Sequence, residues 1–155
     1  MWSMAKRYGQ HCPVAKSLDL IGERWTLLIV RNLLRGAARF QVLRAQLSGI
    51  PPKLLTERLR RMERQGLVTR ELYSKRPPRA SYALTSRGRD LGLVVGALAM
   101  WGRPLVGPRS GPRHTTCGHP TELQHYCPHC DQRVAPDAVA VPNAKPSRVR
   151  RRATR

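Results

Sequence analysis

The sequence predicts a mainly α-helical domain with one small β-hairpin, an α+β fold, followed by a short segment rich in cysteine and histidine. Up to Trp101 most apolar residues recur at three- and four-residue spacing, which is typical of helices. The pattern changes over 67–84, where β-forming residues alternate and indicate two strands. Beyond 104–112, a stretch rich in proline, glycine and arginine that reads as a linker, the helical periodicity ends.

The first two predicted helices are expected to supply mostly core. Val14, Leu18 and Ile21 repeat at helical spacing before Gly22 interrupts the pattern, and the next helix stops at Gly36. The apolar residues of this second helix are Trp25, Leu28, Ile29 and Leu33. We expect Trp25 to take part in packing rather than in ligand binding.

Two further helices joined by a tight turn form the centre of the chain. Phe40, Leu43 and Leu47 set the first of them, and 48–50 breaks it. The two prolines that follow suit a first helical turn, so a second helix should run from there to Gln65. Its predicted inner face consists of Leu55, Leu59 and Met62.

The opposite face of that second helix is polar and mainly basic. Its residues are Lys53, Thr56, Glu57, Arg60 and Arg64. A charged stripe taken alone is often only a solvated helix face. Here it follows a helix and a glycine-containing turn of suitable length, which is the pattern of a helix-turn-helix whose second helix enters the DNA major groove. We therefore predict that these five residues bind DNA.

A hairpin is predicted directly after the helix pair. Strands over 67–72 and 80–84 are separated by a proline-rich loop, 73–79, which is too long for a tight turn. The loop carries Lys75, Arg76 and Arg79, which we predict to contact the DNA backbone or the minor groove. A helix-turn-helix followed by such a hairpin is the winged form of the motif.

From Cys12 to about Trp101 the chain resembles the HxlR-type winged helix-turn-helix regulators of bacteria. The blocks that carry the resemblance are CPVAKSLDLIGERWTLLIVRNLL from Cys12, RF at Arg39, GIPPKLLTERLRRMERQGLVTR from Gly49 and YALTSRGRDL from Tyr82. The resemblance implies a homodimeric regulator that binds an inverted-repeat operator, often near its own gene. It also implies that Arg39 and Phe40 add a short edge strand to the hairpin.

Cys12 is a candidate redox-sensing residue. It precedes Pro13 at a helix start, where the positive end of the helix and nearby basic residues favour a reactive cysteine. Some members of the resembling family use a cysteine at this position to sense oxidants or electrophiles. The alternative is a half-buried thiol that caps and packs.

A long apolar helix should follow the hairpin, with Thr85 as its N-cap and Gly102 near its end. Such a helix has little of its own domain left to cover, so we expect it to join two copies of the chain. The residues of this predicted homodimer seam are Leu91, Val94, Leu98 and Trp101. The alternative, compatible with a dimer, is that the helix folds back onto the first helix.

The C-terminal part carries a predicted structural zinc site. His114 and Cys117 form an H-x2-C pair, and after nine intervening residues Cys127 and Cys130 form a C-x2-C pair. Two such pairs can hold tetrahedral zinc in a segment too short for a core of its own, as in a zinc ribbon. Other nearby histidines could compete as ligands. Free thiols, or a redox pair at Cys127 and Cys130, remain open alternatives.

Charge divides the chain into three parts. The 155 residues carry 29 Lys and Arg against 9 Asp and Glu, a formal net charge of +20, which favours a polyanionic partner. The predicted DNA-binding and dimerisation domain, 1–107, holds 20 basic and 6 acidic residues. The linker and zinc module, 108–141, holds 3 of each, and 142–155 holds 6 basic residues and no acidic one. We expect 142–155 to be a disordered tail that contacts phosphates or simply solubilises the chain.

These features favour double-stranded DNA as partner and a cytoplasmic location. No stretch approaches the roughly 20 apolar residues that span a bilayer, and no signal peptide is recognisable at the N-terminus. The sequence shows no nucleophile paired with a base, no pair of carboxylates and no phosphate-binding loop, so an enzyme is not expected. The leading prediction is a sequence-specific, homodimeric transcriptional regulator; the alternative is a non-specific nucleic-acid-binding or architectural protein.

Overall fold

The structure is a computed structural model that describes residues 8–10, 12–75, 78–107 and 110–140. Its helices are α1 (Pro13–Ile21), α2 (Thr26–Leu33), α3 (Phe40–Gln46), α4 (Pro52–Arg64), α5 (Ser86–Trp101) and α6 (Arg103–Val106). Its strands are β1 (Ala38–Arg39), β2 (Val68–Lys75), β3 (Pro78–Leu84), β4 (His125–Cys127) and β5 (Gln132–Val134). The α+β class that the periodicity predicts is confirmed.

One apolar core lies beneath α2, α3, α4 and the β2–β3 hairpin. Its fully or nearly fully buried side chains include Ile29, Val30, Leu43, Leu55, Leu59, Met62 and Val68. The three residues predicted for the inner face of α4 are all among them, so that prediction is confirmed. Burial of this face fixes the opposite face of α4 toward solvent.

The turn between α3 and α4 lies where the sequence predicts it. Helix α3 ends at Gln46, and Gly49 takes a φ of 90°, a left-handed conformation that glycine adopts without a steric cost. Pro52 then opens α4, and Gly66, with a φ of 67°, ends it one residue after the C-cap. The helix-turn-helix is therefore formed as the prolines and glycines of the sequence indicate.

The hairpin is longer than the sequence predicts. β2 and β3 pair antiparallel from Val68 with Leu84 out to Lys75 with Pro78, and the register shifts once near Tyr73. The expected loop over 73–79 is therefore wrong, because most of it belongs to the strands. Prolines favour a loop in a sequence pattern, yet Pro78 is tolerated at the first position of a strand. β1 pairs with β3 through Ala38 and Arg39, which confirms the edge strand at Arg39, while Phe40 begins α3.

Helices α1 and α2 bury less of their apolar residues than predicted. Val14 is 54% exposed, and Leu18 and Leu28 are each close to 40% exposed. Ile29 and Leu33 are buried in the core, as predicted, and Trp25 packs against the core from the N-cap position of α2. The exposed residues leave an apolar surface on α1 that the fold of one chain does not cover.

Helix α5 begins at the predicted cap and lies close to the hairpin. The Thr85 hydroxyl accepts a hydrogen bond from the Gly88 backbone N–H at 3.0 Å, which satisfies one free donor of the first turn. A Cβ on Gly88 would lie 2.1 Å from the Leu67 carbonyl oxygen, so only glycine permits this approach. Leu91 and Val95 then pack against the core.

Residues 104–106, predicted to be linker, belong to the short helix α6, with Pro104 in its first turn. The C-terminal segment, 110–140, contains a loop closed by a bridge between Arg113 and Pro120 and the separate β4–β5 hairpin. No helix among the described residues is long and apolar enough to cross a membrane.

Candidate nucleic-acid interface

The outward face of α4, called the readout face, consists of the five residues predicted from the sequence: Lys53, Thr56, Glu57, Arg60 and Arg64. All are exposed except Thr56, which is half-buried and donates its hydroxyl to the Pro52 carbonyl at 3.0 Å. No ion pair joins the four charged members to another residue in the described ranges. Their charges are therefore available to an external partner.

The other arginines of α4 hold the domain together instead. Arg58 and Arg61 both form ion pairs with Glu23, in the turn between α1 and α2, and Arg61 also donates to the Asp19 carbonyl. The Arg58 side chain is only 13% exposed. Burial, with the neighbouring Arg61 charge, lowers the pKa of Arg58 from its ordinary value. The helix thus separates two structural arginines from the cations of the readout face.

A basic cleft of about 660 Å³ lies between α4, β1, α3 and the hairpin. Its polar lining, called here the arginine cleft, consists of Arg39, Gln41, Thr56, Arg70, Tyr73, Arg79 and Tyr82. The Arg39 guanidinium stacks over the Tyr73 ring at 4.8 Å from its centroid, which is a cation–π contact. The sequence predicts Thr56 and Arg79 as interface residues but does not predict Arg39, Gln41 or Arg70. These residues can be recognised only from the folded structure, in which Arg70 pairs with Tyr82 across the sheet.

The predicted wing residues lie on strands or outside the described ranges. Lys75 ends β2, and Arg79, which pairs with Ser74, is exposed on β3 and lines the arginine cleft. The expectation that both lie in a loop is wrong. Arg76 and the basic tail, 142–155, lie outside the described residues. Arg79 therefore shares the lining of the arginine cleft with Thr56 of α4.

An apolar surface is exposed on α5 and α6. Trp101 is 77% exposed, and Val94 and Leu98 are also exposed, whereas Leu91 packs against the core of its own chain. Three neighbouring residues extend this exposed apolar face: Leu93, Leu105 and Val106. They are not among the seam residues that the sequence predicts. A surface of this size is unusual on a protein that acts alone.

Cys12 lies at the N-cap of α1, next to the exposed Val14. It is half-buried, and its side chain makes no capping hydrogen bond. The alternative role as a side-chain cap is therefore absent from the described structure.

The predicted zinc ligands form two local pairs. His114 Nδ1 lies 3.1 Å from Cys117 Sγ, and the thiols of Cys127 and Cys130 are hydrogen-bonded to each other. Among the described residues, no three His, Cys, Asp or Glu side chains lie close enough together to hold one metal ion. The structure thus brings the ligands together in twos and does not join the two pairs.

Comparison with known proteins matches the sequence of this chain to a family of regulators. Residues 20–109 match the family model described as HxlR-like helix-turn-helix. The uncharacterized HTH-type transcriptional regulator Rv3095 of Mycobacterium tuberculosis is 41% identical over 125 residues, covering 78% of each chain. That match is longer than 1–107 and so extends into the C-terminal part.

Solved structures agree with the sequence matches. The redox regulator HypR in its oxidized form is 37% identical, with a TM-score of 0.55 over 59% of this chain and 94% of that one. The Pseudomonas aeruginosa transcription-factor candidate PA1374 is 32% identical, with a TM-score of 0.64 over 88% and 94% of the two chains. The winged helix-turn-helix fold is thereby confirmed, and the chain belongs to the HxlR-like helix-turn-helix family of transcriptional regulators.

Proposed function

We propose that the protein is a homodimeric regulator that recognises an inverted-repeat operator by inserting the readout face of α4 into the major groove. The observation that carries this proposal is the division of α4 into two faces. Leu55, Leu59 and Met62 are buried on one side, and the other side exposes unpaired cations beside the arginine cleft. Burial of the first face holds the second in a fixed orientation, as base recognition requires.

Two parts of this surface have different tasks in the proposal. Lys53, Glu57 and Arg60 lie on the exposed side of α4 and contact base edges, where an arginine can pair with guanine through two hydrogen bonds. Arg39, Arg70 and Arg79 line the arginine cleft and contact phosphates, which fixes the orientation of the domain without reading sequence. Cleft contacts of this kind add affinity on every sequence.

Selection of bound duplexes from random DNA, followed by binding measurements at several salt concentrations, tests this division. Arg60→Ala should lose about 1 to 3 kcal/mol on the selected operator and much less on random DNA. Arg79→Ala should weaken both alike and lower the salt slope by about one. Arg133→Ala removes the same charge from an exposed strand of the C-terminal segment and is the matched control. Equal losses on both DNAs for Arg60→Ala would refute base readout by this residue.

The same selection separates the two classes of function. The net charge of +20 would also suit an architectural protein that binds any duplex. A regulator should prefer its operator over random duplex by roughly a thousandfold or more at physiological salt. Failure to enrich any sequence would support the architectural alternative.

The homodimer is supported by the exposed apolar face of α5 and α6. A two-fold seam through Val94, Leu98 and Trp101 would bury these side chains and present two α4 helices to an inverted repeat. Leu98→Glu should give monomers in sedimentation and weaken operator binding. Leu123→Glu adds the same charge at a leucine of nearly equal exposure, 49% against 48%, and should remain dimeric. A dimeric Leu98→Glu protein would place the seam elsewhere.

A redox or electrophile response at Cys12 is the finer part of the proposal. Support comes from its half-buried position at a helix start and from the similarity to the redox regulator HypR. Peroxide would transfer one oxygen to the thiolate, which gives a sulfenic acid and hydroxide. Treatment with peroxide should then change operator affinity in the wild type but not in Cys12→Ser, which keeps the other three cysteines. An unchanged response in Cys12→Ser would refute a role for this residue.

A further inference from the structure

The C-terminal segment, 110–140, has regular structure without a core. It contains the Arg113–Pro120 bridge and the β4–β5 hairpin, yet none of its side chains is buried and most are exposed. A single short hairpin is marginally stable in water, because it buries too little apolar surface to offset the loss of chain entropy. Some other interaction must therefore stabilise this segment.

The first of its loops is a closed turn around His114 and Cys117. The Gly118 backbone N–H donates to the His114 carbonyl at 2.8 Å, and the His114 N–H donates to the His119 carbonyl at 2.9 Å. Gly118, directly after the cysteine, has a φ of 71°. These contacts hold the His114 ring and the Cys117 sulfur side by side, 3.1 Å apart. We call this loop, 113–120, the first knuckle.

The second loop repeats this arrangement around Cys127 and Cys130. The Cys127 sulfur lies within reach of the Cys130 thiol and of the backbone N–H groups of His129 and Cys130. Asp131, directly after the second cysteine, has a φ of 51°, which is uncommon for a residue other than glycine. The Tyr126 hydroxyl donates to the Asp131 carboxylate and braces the turn. We call this loop, 125–134, the second knuckle.

The two knuckles share one design. In each, two ligand-type side chains are separated by two residues, and the residue after the second ligand takes a left-handed conformation. Three thiolates and one imidazole are a common donor set for structural zinc.

We propose that one zinc ion is bound by His114, Cys117, Cys127 and Cys130 and joins the two knuckles. Each knuckle already holds two of the donors together, although no three donors are gathered among the described residues. On binding, the three thiols release their protons and the sulfurs and one imidazole nitrogen replace water on the ion. The crosslink between the knuckles supplies the stability that the missing core does not.

His114 is the histidine that the geometry favours as fourth ligand. Its ring is in contact with the Cys117 sulfur, and no such contact with a cysteine is found for His119, His125 or His129 within the described ranges. His119 lies in the same knuckle and contributes its backbone carbonyl to it. A change at His119 therefore provides a close control for a change at His114.

Metal analysis of the full-length protein tests the proposal directly. Reduced protein should contain about one zinc per chain, as expected for a single closed site. Replacement of zinc by cobalt(II) should produce the absorption bands of a tetrahedral ion together with sulfur-to-cobalt charge transfer. Reduced full-length protein that takes up neither zinc nor cobalt from excess metal would overturn the proposal. An oxidised Cys127–Cys130 pair in metal-free protein would also overturn it, in favour of a redox pair.

Single substitutions identify the ligands. Cys127→Ser and His114→Asn should reduce zinc content well below one per chain and remove or shift the cobalt bands. His119→Asn and Cys12→Ser should keep full zinc content and an unchanged cobalt spectrum. Normal metal content in His114→Asn together with loss in His119→Asn would overturn the assignment of the fourth ligand. Because the cobalt spectrum of the unaltered chain is read independently, a variant that fails to fold does not weaken the test.

Discussion

The winged helix-turn-helix domain and the C-terminal segment are stabilised in opposite ways. The domain buries a continuous cluster of apolar side chains from α2, α3, α4 and the hairpin. Residues 110–140 bury none. Apolar burial contributes about 25 cal/mol for each Å² removed from water, so the first part can be stable through its core and the second cannot. Order in the C-terminal segment therefore needs a source other than a core, and this is the role of the proposed zinc ion.

Charge changes at the same boundary. Residues 1–107 hold 20 basic and 6 acidic residues, whereas 108–141 hold 3 of each. Of these two parts, only the first therefore has an electrostatic reason to approach DNA. Core, charge and readout face lie together in one part, and the ligand pairs lie in the other. Changes made in one part should therefore leave the other largely intact, and the predictions below test that independence.

The largest effect is expected from a cavity in the domain core. Leu59 is 1% exposed on the inner face of α4, so Leu59→Ala should lower the free energy of unfolding by about 2 to 5 kcal/mol. Denaturant unfolding followed by circular dichroism would measure this loss. At a temperature where the variant remains folded, its zinc content should equal that of the unaltered protein.

Leu72→Ala is the control for this cavity. Leu72 is 52% exposed and lies on β2 rather than on α5 or α6, so its truncation should change the free energy of unfolding by about 0.5 kcal/mol or less. Equal destabilisation by Leu59→Ala and Leu72→Ala would contradict the view that burial under α4 dominates the stability of the domain.

A smaller loss is expected when the ion pair beneath α4 is broken. Glu23→Gln keeps the shape of the side chain but leaves the largely buried Arg58 guanidinium without its carboxylate, which should cost about 1 to 3 kcal/mol of unfolding free energy. Glu57→Gln, on the exposed side of the same helix, should change stability by about 0.5 kcal/mol or less. Equal stability of the Glu23→Gln protein and the wild type would show that Arg58 finds another partner.

Two glycines of α5 should respond in opposite directions to the same substitution. A Cβ at Gly88 would clash with the Leu67 carbonyl, so Gly88→Ala should destabilise the domain by about 1 to 3 kcal/mol. No atom lies within 4 Å of the corresponding position at Gly96, where Ala should stabilise the helix by about 0.5 to 1 kcal/mol. Thermal unfolding of the two variants measures the contrast, and a destabilising Gly96→Ala would indicate that a second chain lies against this position.

The helices of the domain could be predicted from the sequence because their determinants are local. The inner face of α4, the turn at Gly49 and the Thr85 cap follow from spacing and residue type, and the structure confirms them. The length of the hairpin could not be predicted in this way. Strand pairing between Lys75 and Pro78 depends on partners across the sheet, and a proline-rich stretch gives the opposite local signal.

The candidate site was only partly predictable for a related reason. Helical periodicity finds the readout face, because one helix contains all of it. The arginine cleft is assembled from β1, α3, α4 and both strands of the hairpin, so Arg39 and Arg70 become neighbours of Thr56 only after folding. The exposed Val14 and Leu18 were similarly misassigned to the core, because periodicity marks an apolar face without showing what covers it.

The smallest effect on the domain is expected from removal of the whole C-terminal part. A chain that ends at Gly107 keeps the entire core cluster and should unfold with a free energy within about 0.5 kcal/mol of the full chain, provided that the domain is independent. It should contain no zinc and should select the same operator. Its affinity should be lower at every sequence, because the 6 basic residues of 142–155 have been removed.

A chain that ends at Ala140 loses only the tail and its neighbouring residue, and should show the same loss of affinity with full zinc content. If the shorter chain selects a different operator while the longer one does not, the C-terminal segment itself reads DNA, and the separation of tasks between the two parts is wrong.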